Sequence, residues 1–250
     1  MSEFNGQLGR YKVIKTQDDS QTLWSEFFDE NCHSSAGAFQ ETLFNYVLPC
    51  LPDDLTQMES YKVLEVGYGL GVGLKATIEH LKPSPAKPLH FISLELDPDL
   101  VRWSVENQAM AGVNMSELQL VDNIFQLKTD SLQVDILIGD ARENIKNELI
   151  NNIHAIYQDP FSPKKNPSLW TTEWFESLKN VSHKNCKLAT YSASVSIRKS
   201  ILKAGWHPQS HSGFAHKRER TMATLSGPID QKLEKRLRAS SALALHDEQL

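Results

Sequence analysis

Val63-Leu64-Glu65-Val66-Gly67-Tyr68-Gly69-Leu70-Gly71-Val72-Gly73 is an apolar strand that enters a glycine-alternating turn and leads into a helix-forming stretch, Leu74–Leu81. Glycines at 67, 69 and 71 allow a tight turn and a close approach of the backbone to a ligand. Downstream the same alternation repeats. Strands are expected at 62–66, 89–94, 134–138, 153–158 and 186–192, and helices at 74–81, 98–111, 141–150, 168–178 and 194–204. Strand–helix alternation argues for parallel strands with helices on both faces. Residues 207–211 and 221–225 read as an antiparallel hairpin added to one edge. The expected architecture is therefore α/β and Rossmann-like, a mostly parallel seven-stranded sheet with an antiparallel C-terminal hairpin.

Upstream, 11–16 and 22–28 read as a hairpin around the turn Asp18-Asp19-Ser20. Residues 30–38 read as a polar loop, and 39–48 as a helix stopped by Pro49. The chain divides into an N-terminal extension (1–60, hairpin and helix) packed on the core, a central domain (61–227) and a charged C-terminal helix or tail (228–250). At 250 residues it can bury a full core. The polar start MSEFNGQLGR is not a signal peptide, and no apolar run reaches the length of a membrane span. Cys32, Cys50 and Cys186 are far apart and form no CxxC pair, so neither a disulfide framework nor a metal site is expected. The expected compartment is the cytoplasm. Net charge is −5, but residues 181–250 carry 12 Lys+Arg against 5 Asp+Glu, a net of +7 that leaves −12 for the rest. The basic groups Lys164-Lys165, Arg198-Lys199, Lys217-Arg218 with Arg220, and Lys232/Lys235-Arg236/Arg238 are candidates for meeting phosphates.

Acids close the expected strands. Glu65 lies two residues before Gly67. Glu95 lies 24 residues past Gly71, where an acid accepts hydrogen bonds from ribose hydroxyls. Asp140, followed by Ala141, can accept the exocyclic amine of adenine. Asp97-Pro98 reads instead as the N-cap and first position of a helix. Each acid alone could be a cap; together, after a glycine turn, they point to a nucleoside-type cofactor. Three details favour S-adenosylmethionine over NAD: the position of Glu65, the absence of strict G-x-G-x-x-G spacing, and the lack of a second domain for a nicotinamide substrate.

A fourth acid opens the tract Asp159-Pro160-Phe161-Ser162-Pro163-Lys164-Lys165-Asn166-Pro167-Ser168-Leu169-Trp170. Asp159 ends a short apolar strand. Pro160 bends the chain and is expected to leave nearby carbonyls free to accept hydrogen bonds. Phe161 supplies an aromatic face. This combination suits a neutral amine on a planar base, although a capped strand end beside a core Phe would read the same way.

This tract resembles the methyltransferase domain of the MnmC family, enzymes of tRNA wobble-uridine modification. So do Gly67-Tyr68-Gly69-Leu70-Gly71, His90–Glu95, Gly139-Asp140, Ala189–Ser192 and Gly213–Glu219, in the family's order. Asp18–Leu23 and His33–Glu41 resemble the stand-alone branch, which lacks the FAD oxidase half. The family usually has Asp-Gly-Phe where this chain has Asp159-Pro160-Phe161, a form closer to the Asp-Pro-Pro-aromatic motif of amino-group methyltransferases. The resemblance implies a class I S-adenosylmethionine-dependent methyltransferase fold, with S-adenosylmethionine and neither metal nor FAD as cofactor. It implies methylation of 5-aminomethyl-(2-thio)uridine in tRNA, with a separate enzyme supplying the aminomethyl group and no membrane partner. Asp159, Pro160 and Phe161 are then expected to be catalytic, with Phe161 or Tyr68 stacking on the uracil. Glu65, Gly67, Tyr68, Gly69, Gly71, Glu95, Asp140, Ala141 and Asp159 are expected to bind the cofactor, and Lys164, Lys165, Asn166, Lys217 and Arg218 the tRNA. Other readings are amine methylation of adenine N6 or of a small molecule, aminopropyl transfer, and a non-catalytic RNA-binding module.

Overall fold

The alternating apolar runs become the strands of a nine-stranded sheet in the computed structural model, which describes residues 2–52, 58, 60–107, 114, 117–228 and 230–250. Five parallel strands form its centre: β5 (Tyr61–Val66), β6 (Leu89–Glu95), β9 (Leu132–Ile138), β10 (Ile153–Gln158) and β11 (Ser182–Thr190). At one edge β13 (Glu219–Thr224) and β12 (His207–Ser212) add antiparallel, the expected hairpin. At the other edge lies a pair that the sequence reading missed, β7 (Gln119–Val121) and β8 (Ile124–Lys128). The expected seven strands are therefore nine. Asp122 and Asn123 turn this hairpin with φ of 47° and 62°, a two-residue turn whose twist suits paired strands. Every residue of β7 is exposed, so no buried face marks it in the sequence.

Successive residues of the central strands point to opposite faces. Val63, Phe91, Val134 and Ala155 enter one core layer; Leu64, Ile92 and Ile156 enter the other. All seven residues of β6 are buried, the pattern of a strand covered on both sides. The helices are α3 (Val72–Leu81), α4 (Pro98–Asn107), α5 (Ala141–Asn144), α6 (Thr172–Asn180), α7 (Val195–Lys203) and α8 (Gln231–Ala239). Residues 108–111 of the helix expected over 98–111, and Ile229 in the expected C-terminal helix or tail, lie outside the described residues. The helix expected over 141–150 stops at Asn144; beyond it the Asn147 side chain accepts the Leu149 N–H, so a local side-chain bond replaces the helical ladder. No helix among the described residues is long and apolar enough to cross a membrane.

The first sixty residues build more than a hairpin and a helix. Strands β1 (Glu3–Gly6), β2 (Gly9–Lys15), β3 (Gln21–Ser25) and β4 (Glu30–Asn31) form a four-stranded antiparallel sheet. Helix α1 (Ala38–Thr42) follows, widens into a π-helical turn (Leu43–Val47), and continues through Pro49 as α2 (Leu48–Cys50). It ends at Cys50, one residue past the expected stop at Pro49, with Leu51 extended. The N-terminus of α1 is capped from a distance. Ser20 Oγ accepts the Ala38 and Phe39 N–H groups at 3.0 and 3.1 Å, and Asp18 Oδ2 accepts that of Gln40 at 2.9 Å. The Asp18–Ser20 turn and the Ser34–Gln40 segment are thus two halves of one joint.

Asp97 fastens this sheet to the core. It caps α4 through the Asp99 N–H, and it also accepts the Gln7 N–H, the Leu8 N–H and the Tyr11 hydroxyl at 3.2, 3.0 and 2.8 Å. The residue is wholly buried, and Phe4 stacks between Tyr11 and Trp103 of α4 beside it. Asp97→Ala removes a helix cap and strands three donors, one of them a buried hydroxyl. The expected cost is roughly 2–4 kcal/mol, read as a lower urea midpoint at unchanged slope. A midpoint equal to that of the wild type would show that the sheet is not held at this point.

Candidate active site

The parallel strands run β11-β10-β5-β6-β9 across the sheet, while the chain visits β5, β6 and β9 before returning to β10 on the other side of β5. Strand order reverses between β5 and β10, and a crevice opens beyond the strand ends at such a switch point. A cavity of about 510 Å³ lies there. Four acids stand along its edge in the spatial order Asp159, Glu65, Glu95, Asp140, each at or just beyond the end of its strand.

The glycine turn shapes one wall. Gly67 has φ 96°, and a Cβ there would stand 2.9 Å from the Asp159 carbonyl oxygen, so the two strand ends can meet only at a glycine. A Cβ at Gly73 would stand 1.7 Å from Glu65 Oε1; this glycine, at the start of α3, lets the acid sit against the helix. Gly71 adopts a left-handed conformation at the helix N-cap and shapes the turn without lining the cavity. Glu65 accepts the Ser93 hydroxyl at 2.8 Å, and burial holds its carboxyl well above the usual range. Glu95 accepts the N–H groups of Gly69, Leu96 and Asp97 at 2.9, 2.7 and 3.0 Å. Burial still pushes it up to about 7 against those three donors. Oε1 takes two of these bonds and Oε2 one, so Oε2 retains acceptor capacity, and the residue lines the cavity. Asp140 caps α5 through the Arg142 N–H at 2.8 Å and lines the cavity beside Ala141. The C-terminal segment braces that loop, because Arg142 forms a two-pronged ion pair with Asp247. A crevice with acids at the ends of β5, β6 and β9 and a close-approach turn fits a nucleoside-bearing cofactor.

Asp159 faces a wall that the sequence reading did not foresee. The first sixty residues contribute Phe28, Glu30, Cys32, His33, Glu41 and Tyr46 to the cavity. Tyr46 donates its hydroxyl to Asp159 Oδ1 at 2.5 Å, a charge-assisted length. His33 Nε2 stands 3.8 Å from Asp159 Oδ2, and burial holds the imidazole below its ordinary pKa. Burial raises Asp159 to about 8, and the Tyr46 hydrogen bond pulls the other way. A carboxyl that titrates near neutrality inside a cleft is suited to proton transfer.

Several expectations need correction. The carbonyls near Pro160 are partly engaged: that of Pro160 accepts the Tyr191 hydroxyl at 3.0 Å, and that of Phe161 accepts Trp170 Nε1 at 2.9 Å. One face of Phe161 is covered by Phe28, with centroids 4.1 Å apart and planes 20° apart. Tyr68 lines the cavity but packs into the core at 2% exposure, its hydroxyl sharing a 3.0 Å hydrogen bond with Ser104, so its ring offers no open stacking face. Lys217 lines the cavity but turns inward, with Nζ 2.8 Å from buried Glu41 and 5.1 Å from the centre of the Tyr191 ring. Lys165 pairs with Asp29 at 3.2 Å. Lys164 and Arg218 are exposed and outside the cavity, whereas Asn166 lines it. Arg198, one of the groups expected to meet phosphate, is fully buried against Glu219, which Arg236 and Arg198 together hold down at about 2. The sequence carried one pointer to the missed wall, the His33–Glu41 segment, but nothing in it said which face of the sheet this segment would cover.

Residues 107–226 match a family described as S-adenosyl-L-methionine-dependent methyltransferase. The chain is 30% identical over 218 residues to the bifunctional protein MnmC of tRNA 5-methylaminomethyl-2-thiouridine biosynthesis from Burkholderia multivorans, covering 80% of this chain and 33% of that one. It is 28% identical to the protein of the same name from Paraburkholderia phymatum, again over 80% and 33%. The chain thus spans about a third of the length of these curated relatives. Among solved structures, MnmC2 from Aquifex aeolicus superimposes with a TM-score of 0.78 at 27% identity, over 98% of this chain and 82% of that one. Spermidine synthase from Thermotoga maritima shares the fold alone, with a TM-score of 0.60 at 12% identity, over 99% and 81%. The glycine turn, the acids along the sheet edge and these matches agree on an S-adenosyl-L-methionine-dependent methyltransferase, similar to MnmC and MnmC2.

Proposed function

We propose that this protein methylates the primary amine of 5-aminomethyl-(2-thio)uridine at the wobble position of tRNA, giving the 5-methylaminomethyl form. The observation that carries the reading is the Tyr46–Asp159 pair, set at the switch point beside the glycine turn. The relatives' names support the substrate.

When bound, S-adenosylmethionine supplies a methyl group already activated on a sulfonium. Glu65, Gly67, Gly69, Glu95, Asp140 and Ala141 would hold it. The protein's remaining task is to present a lone pair. A primary alkylamine is an ammonium at neutral pH, and only its neutral form attacks. Asp159 in its carboxylate form accepts that proton, and the Tyr46 hydroxyl keeps the carboxylate aimed and partly ionised. Lys217 neutralises Glu41, so that a second carboxylate beside Asp159 does not drive its titration higher still. The wall of Phe28, Cys32 and Tyr46 excludes water from this corner. A separate enzyme is proposed to supply the aminomethyl group.

The deciding experiment incubates the protein with labelled S-adenosylmethionine and tRNA carrying 5-aminomethyluridine, then identifies the labelled nucleoside. Label in 5-methylaminomethyluridine is expected; label in N6-methyladenosine, or none, overturns the reading. Asp159→Asn should keep cofactor affinity in calorimetry while methyl transfer falls at least about 100-fold. Turnover near the wild-type rate would remove Asp159 from the chemistry. Because carboxylate is the working form, kcat/KM should rise with pH toward about 8 in the free enzyme. Tyr46→Phe deletes a donor to that carboxylate and should move the limb upward by about one pH unit. A limb that stays in place would assign it to the substrate amine.

A further inference from the structure

The tip of the β3–β4 hairpin carries two adjacent aromatics, Phe27 and Phe28, in the turn Glu26-Phe27-Phe28-Asp29. Tight turns are ordinarily built from Gly, Asn, Asp, Ser or Pro, which satisfy or relax the backbone there. Phe28 has a structural reason, because it stacks on Phe161. Phe27 has none in the fold. It meets Phe28 edge-on, with centroids 4.9 Å apart at 87°, and is 60% exposed. The turn that holds it out is fixed by three ties to the loop following Asp159. These are the Phe28–Phe161 stack, the Ser162 N–H donated to Glu30 Oε2 at 2.9 Å, and the Lys165–Asp29 pair at 3.2 Å. An exposed aromatic on a tied-down turn, in ring contact with Phe28 of the cavity wall, is a preorganised contact surface.

The acids of this turn are tied up, Glu26 with Arg10 at 3.2 Å, Asp29 with Lys165, and Glu30 with the Ser162 amide, which leaves a cation directed at solvent. Lys164 stands exposed on the facing loop. Aromatic rings interleaved with cations are the means by which single-stranded nucleic acid is held without reading its sequence. A base presented from an RNA loop must leave its stack, which exposes the faces of its neighbours.

Resting on the reading that the substrate is an RNA loop, we propose that Phe27 is a stacking platform for the unpaired nucleobase next to the methylated uridine, with Lys164 on the adjoining phosphate. Phe27 touches none of the acids around the amine, so its contribution is to RNA affinity and placement.

The test compares wild type, Phe27→Ala and Phe27→Trp on three substrates or ligands: tRNA bearing 5-aminomethyluridine, the isolated 5-aminomethyluridine nucleoside, and S-adenosylmethionine alone. Loss of one stacked base predicts a KM and Kd for tRNA about tenfold higher in Phe27→Ala. Nucleoside turnover and calorimetric cofactor binding should be unchanged. Phe27→Trp should restore tRNA affinity, and its added fluorescence should be quenched when tRNA is titrated. Wild-type affinity for tRNA that Phe27→Ala leaves intact overturns the platform alone. So does an altered sedimentation profile in Phe27→Ala with intact tRNA binding, which would assign the ring to contact with a second copy. Wild-type protein that does not bind tRNA overturns the functional reading and the platform with it.

Discussion

A single hydrogen bond, from the Tyr46 hydroxyl to Asp159 Oδ1 at 2.5 Å, joins the two parts of this protein where the chemistry is proposed to occur. It crosses 113 residues of sequence. Asp159 is set by the end of β10, and Tyr46 by a π-helical turn in the segment that precedes the large sheet. Burial of both groups strengthens the bond and raises the carboxyl toward neutrality, because ionised Asp159 loses hydration and regains only part of it from one donor. The geometry therefore depends on how the first sixty residues are fastened to the sheet.

That fastening is polar and specific. Asp97 collects donors from β2, the β1–β2 turn and α4, and its buried position makes each of them dependent on it. Asp18 and Ser20 cap α1 across the β2–β3 turn, which fixes the helix that presents Glu41 and leads on to Tyr46. Glu30 and Asp29 then tie the hairpin tip to the loop after Asp159. Two of these joints place one small sheet over one end of a larger one, the third fixes α1 to the small sheet, and the cavity is lined from both parts.

Legibility followed periodicity. The central strands were readable because parallel strands buried on both faces are apolar runs, as in all seven positions of β6. The acids at Glu65, Glu95, Asp140 and Asp159 were readable because their place at a strand end carries meaning whatever the surrounding packing is. Strand β7 was not readable, since none of its residues is buried. Nor was the fate of the basic residues. Arg198 and Lys217 look like phosphate ligands in one dimension, and both are paired with Glu219 and Glu41, acids that lie 21 and 176 residues away.

From the sequence alone came the α/β class, the glycine turn, the order of the strand-end acids and the resemblance to methyltransferases, because these depend on contacts near in the chain or on patterns that repeat along it. Only the tertiary structure decided what covers the glycine turn's far side, which carbonyls of the Asp159 loop are already in use, and which cations remain free. Those depend on pairings between segments far apart in the chain, whose partners no local pattern names. The Asp159 carboxyl shows the division: its position at a strand end is written in the sequence, and its titration near neutrality arises from burial under the segment that folding brings against it, opposed by the Tyr46 hydrogen bond and reinforced by Glu41.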